Sequence, residues 1–188
     1  MGSLALAFKQ FVAAALAGVW FSAPLAAQDA DREADLLAQL AEAETPEAAA
    51  LIEGEIRGLW SRSGSAAIDL LVRRGQDALG AGAPEVAIEH FTAAVDHDPA
   101  FAEARAGRAA AYYLTGRIGP ALDDLRSALV LNPNHFEALK GFAVLLEELD
   151  RPGDALEVWR RVADMNPQDA QAAEASERLA LSLEGRAL

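Results

Sequence analysis

The stretch that decides the fold is residues 102–135, AEARAGRAAAYYLTGRIGPALDDLRSALVLNPNH. Its apolar residues recur at helical spacing on both sides of a short breaker segment, Thr115-Gly116-Arg117. This pattern predicts two amphipathic helices joined by a tight turn. Units of equal length flank it without gaps at residues 68–101 and 136–169, and their prolines at positions 99, 133 and 167 lie 34 residues apart. Such a period predicts a stack of helix pairs.

The three units share small residues at two corresponding positions and mostly larger residues at two others. Small residues at the eighth and twentieth positions let paired helices approach to about 8–10 Å, and residues at the eleventh and twenty-fourth fill the space beside them. The pattern resembles the tetratricopeptide repeat (TPR), as found in exported bacterial proteins. Where that family often has Trp stand Leu71, Arg105 and Leu139. The eighth position holds Gly75, Ala109 and Ala143, and the twentieth holds Ala87, Ala121 and Ala155. The eleventh position holds Ala78, Tyr112 and Leu146, and the twenty-fourth holds Phe91, Leu125 and Trp159.

The resemblance implies an all-α fold, a right-handed α-solenoid of three TPR helix pairs. A stack buries its helix faces only against neighbouring units, so both of its ends need cover. Residues 28–65 are predicted to form an N-terminal helical hairpin and linker, with helices over residues 31–43 and 46–60 that cover the first repeat. Residues 170–188 are predicted to hold a capping helix and tail, because residues 168–183 are amphipathic.

The first 27 residues are predicted to be a signal peptide. Lys9 precedes an apolar run over residues 11–21, and Pro24 and small residues follow up to Ala27. This order is typical of a secretory signal, and it predicts an exported, periplasmic protein. Because no charge lies between Lys9 and Ala27, retention of the segment as a membrane anchor is the alternative.

The composition excludes several classes of function. A formal net charge of -13 argues against a nucleic-acid partner, which requires a basic face. The absence of cysteine excludes disulfides, Cys-ligated zinc, iron–sulfur clusters and thiol catalysis. His90 and His97 are interpreted as surface residues, and the serines at 61, 63 and 65 as a linker. We therefore predict no catalytic, cofactor or metal site, and an enzyme of unknown class is a remote alternative.

The resemblance also implies a concave groove, lined by the first helix of each repeat, where a protein or peptide partner binds. Its mixture of apolar and acidic residues suits a neutral or basic segment with apolar anchors. The alternative is that these residues merely face solvent. One subfamily binds C-terminal carboxylates through Lys, Arg and Asn, and that clamp is not expected here, where the positions hold Val72, Gln76, Gly107, Glu137 and Gly141. The predicted groove consists of Asp69, Val72, Gln76, Leu79, Glu103, Ala106, Ala110, Tyr113, Glu137, Lys140, Val144 and Glu147.

The seventh position of each unit, usually apolar in the family, departs from the pattern with Arg74, Arg108 and Phe142. Arg108 is predicted to form a structural ion pair with Asp124, on the second helix of the same repeat. Arg74 is expected to pair similarly with Glu89. A shared anion site of the two arginines is the alternative.

Together these features predict a non-catalytic scaffold or adaptor that binds a polypeptide segment in the periplasm. An envelope-anchored assembly factor that retains its N-terminal apolar segment is the alternative function.

Overall fold

The computed structural model describes residues 25–186, with side chains for residues 28–185. Most of the predicted signal peptide thus lies outside the described residues. The repeats and the helices packed against them belong to the compact unit that begins at Glu33. No helix within residues 25–186 has the length and apolarity that crossing a bilayer requires. That part of the chain forms α1 (Leu25–Ala41), α2 (Pro46–Trp60), α3 (Ala66–Gly80), α4 (Pro84–His97), α5 (Ala102–Leu114), α6 (Ile118–Leu131), α7 (Phe136–Glu148), α8 (Pro152–Met165) and α9 (Ala170–Arg186).

The three repeats are the pairs α3–α4, α5–α6 and α7–α8, and each pair turns at the fifteenth residue of its unit. There the backbone is left-handed, with φ of 70° at Gly82, 72° at Gly116 and 53° at Asp150. Glycine adopts this conformation without a steric penalty, and aspartate is one of the residues that tolerate it. Pro84 and Pro152 then open α4 and α8 in the first turn, where a missing N–H leaves no hydrogen bond unmade.

The core of the stack is built on the alanines of the second helices. Ala87, Ala121 and Ala155 are each 0% exposed, which confirms the predicted interlock of small and large side chains. Phe91 and Trp159 fill the space beside them and are buried almost completely. The small residues on the first helices are buried as well: Gly75, Ala109 and Ala143.

Phe91 of α4 lies between two glycines on neighbouring helices. A Cβ atom added to Gly75 of α3 would lie 2.7 Å from the Phe91 ring, and one added to Gly107 of α5 would lie closer still. The ring itself is 0% exposed. Three helices can meet around this ring only because two of them have no side chain facing it.

The N-terminal hairpin of α1 and α2 contacts the third repeat, and the prediction that it covers the first repeat is wrong. The Trp60 ring stacks on His135 with centroids 5.0 Å apart and lies 4.9 Å from the Phe136 ring. Asn166 Nδ2 donates to Glu53 Oε1 at 2.9 Å.

The apolar face of the hairpin explains this position. Leu36, Leu40 and Ile56 share one buried cluster with Trp60 and with Phe136 of α7. The third repeat thus supplies a large apolar ring, whereas α3 of the first repeat begins with the exposed pair of alanines at positions 66 and 67. Burial of large apolar side chains favours the third repeat.

Helix α9 covers the carboxyl-terminal end of the stack. Ala172, Ala175 and Leu179 are buried in one cluster with Trp159 of α8. The Asp169 carboxylate accepts the backbone N–H of Ala172 at 2.9 Å and so caps the start of the helix. The helix predicted over residues 168–183 runs from Ala170 to Arg186.

Candidate functional site

A pocket of about 410 Å³ opens between α5 and α7, the first helices of the second and third repeats. Most of its lining is apolar, and two of the helix residues that face it are glycines. Because the alanines that line it have short side chains, the space between the two helices stays open here. The lining residues are Glu103, Ala106, Gly107, Ala109, Ala110, Tyr113, Leu114, Leu125, His135, Glu137, Gly141, Val144 and Leu145.

His135 lies at the polar end of this pocket and is 1% exposed. Its Nδ1 accepts the backbone N–H of Ala138 at 3.3 Å, so the ring caps α7. Because Nδ1 acts as an acceptor, the neutral ring carries its proton on Nε2. Nε2 lies 3.1 Å from Glu103 Oε2 and therefore donates its proton to that carboxylate.

Glu137 brings a second carboxylate to the same end of the pocket. Partial burial raises the pKa of Glu137, and the nearby Glu103 carboxylate raises it further. His135 and Arg57 oppose this shift, and Arg57 Nη1 lies 3.3 Å from Glu137 Oε1. The arrangement is an acceptor-rich corner that favours a hydrogen-bond donor carrying positive charge.

The same three side chains are the group that could hold a metal ion. Their ligand atoms, from Glu103, His135 and Glu137, all lie within 4.8 Å of one another. A metal on Nε2 of His135 would move the ring proton to Nδ1, where it would face the Ala138 N–H, another donor. The histidine fits a metal poorly for this reason, and the corner is better suited to binding a cationic group.

The other end of the pocket is formed by Tyr113, which is 37% exposed. Its hydroxyl donates to Glu148 Oε1 at 2.6 Å, and this hydrogen bond raises the pKa of Tyr113. Leu114 beside it is 62% exposed. Apolar surface therefore extends from the pocket to this edge of the groove.

The structure brings half of the predicted groove residues together around the pocket. Several of the others contact other parts of the chain. The Asp69 carboxylate holds the linker by accepting from Ser63 N at 2.8 Å. Lys140 Nζ lies 2.5 Å from Asp169 Oδ2. Gln76 Nε2 donates to Glu103 at 3.1 Å, outside the pocket lining. The predicted residues that line the pocket are Glu103, Ala106, Ala110, Tyr113, Glu137 and Val144.

The three remaining members of the predicted groove are structural. The prediction that Val72 lies on the groove floor is wrong, since Val72 is 1% exposed and shares a buried cluster with Phe91. Leu79 packs against that same cluster. Glu147 accepts from Trp159 Nε1 at 2.8 Å and pairs with Arg178 at 2.7 Å.

The structure also brings Arg108 and Asp124 together. Arg108 Nε lies 2.6 Å from Asp124 Oδ2, and Nη2 lies 2.8 Å from Oδ1, which is a bidentate ion pair. This hydrogen bonding raises the pKa of Arg108. Asp124 thus occupies the place that an anion would take. Arg74 is exposed, and among the described contacts it forms no ion pair with Glu89.

Sequence reasoning missed the bond between His135 and Glu103. The signal lay in the last position of each unit, which holds Phe101, His135 and Asp169. His135 and Asp169 both accept a backbone N–H of the helix that follows. A polar residue at this position is typical of a helix cap, and a capping histidine has one nitrogen left for another partner.

Comparisons with known proteins agree with the repeat fold described above. No protein-family model matches the chain. A TPR repeat-containing protein of Rhizobium etli is 32% identical over 150 residues, which are 80% of this chain and 74% of that protein. Among solved structures, the first TPR domain of Spaghetti (RPAP3), bound to the HSP90 peptide SRMEEVD, has a TM-score of 0.61 and 22% identity, covering 64% of this chain and 95% of that one. The Arabidopsis OM64 TPR domain has a TM-score of 0.59 and 23% identity, covering 62% and 96%.

Proposed function

Because the chain belongs to the TPR repeat-containing proteins, we propose that it is a non-catalytic scaffold that binds a polypeptide segment in its concave groove. The observation that carries this proposal is the open apolar pocket between α5 and α7. Pockets of this kind bind ligands by burying an apolar group and fixing it with a few polar contacts. One apolar side chain of the partner would enter the pocket, while its backbone would run across the first helices.

The local chemistry supports binding over catalysis. At the polar end of the pocket, Nδ1 of His135 accepts from the Ala138 backbone, and Nε2 faces Glu103. A general base needs a free acceptor nitrogen within reach of the group that it deprotonates. Here both ring nitrogens serve to hold the shape of the site, which suits a rigid binding surface.

Binding through the pocket is tested by changing its wall. Val144→Glu together with Tyr113→Ala should lower the affinity for peptides selected from a random display library by at least about tenfold. The reason is that a charge would then face the apolar anchor of the peptide. Affinity is measured by titration calorimetry, with helicity followed by circular dichroism.

Val130→Glu is the matched control, since Val130 lies on α6 outside the pocket and is 81% exposed. This variant should bind the selected peptides as the unchanged chain does. If the double variant with intact helicity also retained full affinity, the partner would bind elsewhere and the proposal would fail.

We also propose that the protein works after export, in the periplasm. The sequence order of residues 1–27 supports this location, and an envelope-anchored assembly factor is the alternative. N-terminal sequencing of the protein from its native cell should give a chain that starts at Gln28. A chain that keeps residues 11–21 would favour the anchored form.

A further inference from the structure

We propose that the partner segment carries a basic side chain next to its apolar anchor, and that this basic group takes the place held by Arg57 of the N-terminal hairpin. The inference rests on the proposed function and adds the chemical class of the partner. It concerns the polar end of the pocket, where Glu103 and Glu137 meet.

The charged groups of the pocket lining favour a cationic partner. The lining of the pocket contains the carboxylates of Glu103 and Glu137 and no lysine or arginine. The proton on Nε2 of His135 is already donated to Glu103, so the histidine has no further donor to offer a ligand. Two carboxylates retain several free acceptor positions between them, and a guanidinium or ammonium group has the donors to fill these.

The hairpin already places a cation at this corner of the pocket. Arg57 Nη1 lies 3.3 Å from Glu137 Oε1 and 3.4 Å from Glu53 Oε2. Its guanidinium also lies 5.8 Å from the centre of the Phe136 ring. A basic side chain from outside would find the same carboxylate and the same aromatic ring.

The Arg57 side chain can leave this corner while the hairpin stays. Its side chain is 45% exposed, and ion pairs at such positions contribute little to stability. The hairpin itself is held by Ile56, which is 0% exposed, and by Trp60, which stacks on His135. Displacement therefore requires one side chain to swing into solvent, and it leaves the packed hairpin in place.

The experiment uses the full chain, a random-peptide display library and synthetic copies of the enriched peptides. Enriched sequences should place Lys or Arg next to an apolar residue. Changing this Lys or Arg to Glu should weaken binding about tenfold or more. Glu137→Gln should reduce the preference for the basic peptide over its Gln counterpart. Arg57→Ala should strengthen binding of the basic peptides about two- to fivefold, since it removes the internal competitor.

Arg73→Ala is the matched control, because Arg73 is an exposed arginine of α3 outside the pocket, and its removal should leave affinity unchanged. Enriched peptides that need Val144 but are neutral or acidic would overturn this inference alone. Weaker binding by Arg57→Ala, or no change, would also overturn it, because Arg57 would then not compete. A library without enrichment, or peptides indifferent to Val144→Glu, would overturn the proposed function itself.

Discussion

Asp124→Ala is expected to lower the free energy of unfolding by about 3–5 kcal/mol, because it leaves a largely buried guanidinium without its partner. The Asp124 side chain is 7% exposed and that of Arg108 is 14% exposed. Arg105 Nη1 also lies 3.5 Å from Asp124 Oδ1, so two arginines lose their counter-charge at once. Urea unfolding followed by circular dichroism measures the loss.

The neighbouring Asp123 provides the control. Its side chain is 81% exposed, and its contact with Arg126 is long, at 3.9 Å. Asp123→Ala should therefore change stability by less than about 0.5 kcal/mol. Replacing both Arg108 and Asp124 by apolar residues of similar size should cost far less than Asp124→Ala alone. Equal losses for Asp123→Ala and Asp124→Ala would contradict the structural importance of the buried pair.

Gly107→Ala is expected to destabilise the protein by about 1–3 kcal/mol, although alanine is the better helix former. In an open helix the change would gain about 1 kcal/mol. Here the new Cβ would overlap the ring of Phe91, which is 0% exposed and has little room to move. Overpacking of this kind outweighs the helix propensity. Thermal unfolding and chemical denaturation both measure the effect.

Gly141 occupies the same position of the next repeat and gives the opposite expectation. A Cβ there would lie 3.4 Å and 3.6 Å from two methyl carbons of Leu125, which is ordinary contact. Gly141→Ala should therefore stabilise the protein by up to about 1 kcal/mol. Phe91→Leu should recover part of the loss in the Gly107→Ala variant. If Gly107→Ala stabilised the chain as Gly141→Ala does, the close contact with Phe91 would be refuted.

The helices and the core of the repeats could be predicted from the sequence because their determinants recur. Each of Ala87, Ala121 and Ala155 has its counterpart 34 residues away, so a local pattern is seen three times. The bond between Arg108 and Asp124 could be predicted for a related reason. A charged residue at a repeat position that is usually apolar needs a partner on the facing helix.

The position of the hairpin and half of the groove could not be predicted in this way. The stacking of Trp60 on His135 joins residues far apart in the chain, and no period relates them. Lys140 was expected to face the groove, yet it pairs with Asp169 of the residues that lead into α9. Such pairings depend on three-dimensional distances between units, which a repeat pattern does not contain.

The docking of α2 onto α7 has a consequence for how the whole array holds together. In an ordinary solenoid each unit contacts only its sequence neighbours, and stability adds up along a line. Here Trp60, which precedes the first repeat, is anchored on the side chains that open the third. The contacts between units are thereby closed into a ring, so that deletion of the third repeat would also free the amino-terminal hairpin.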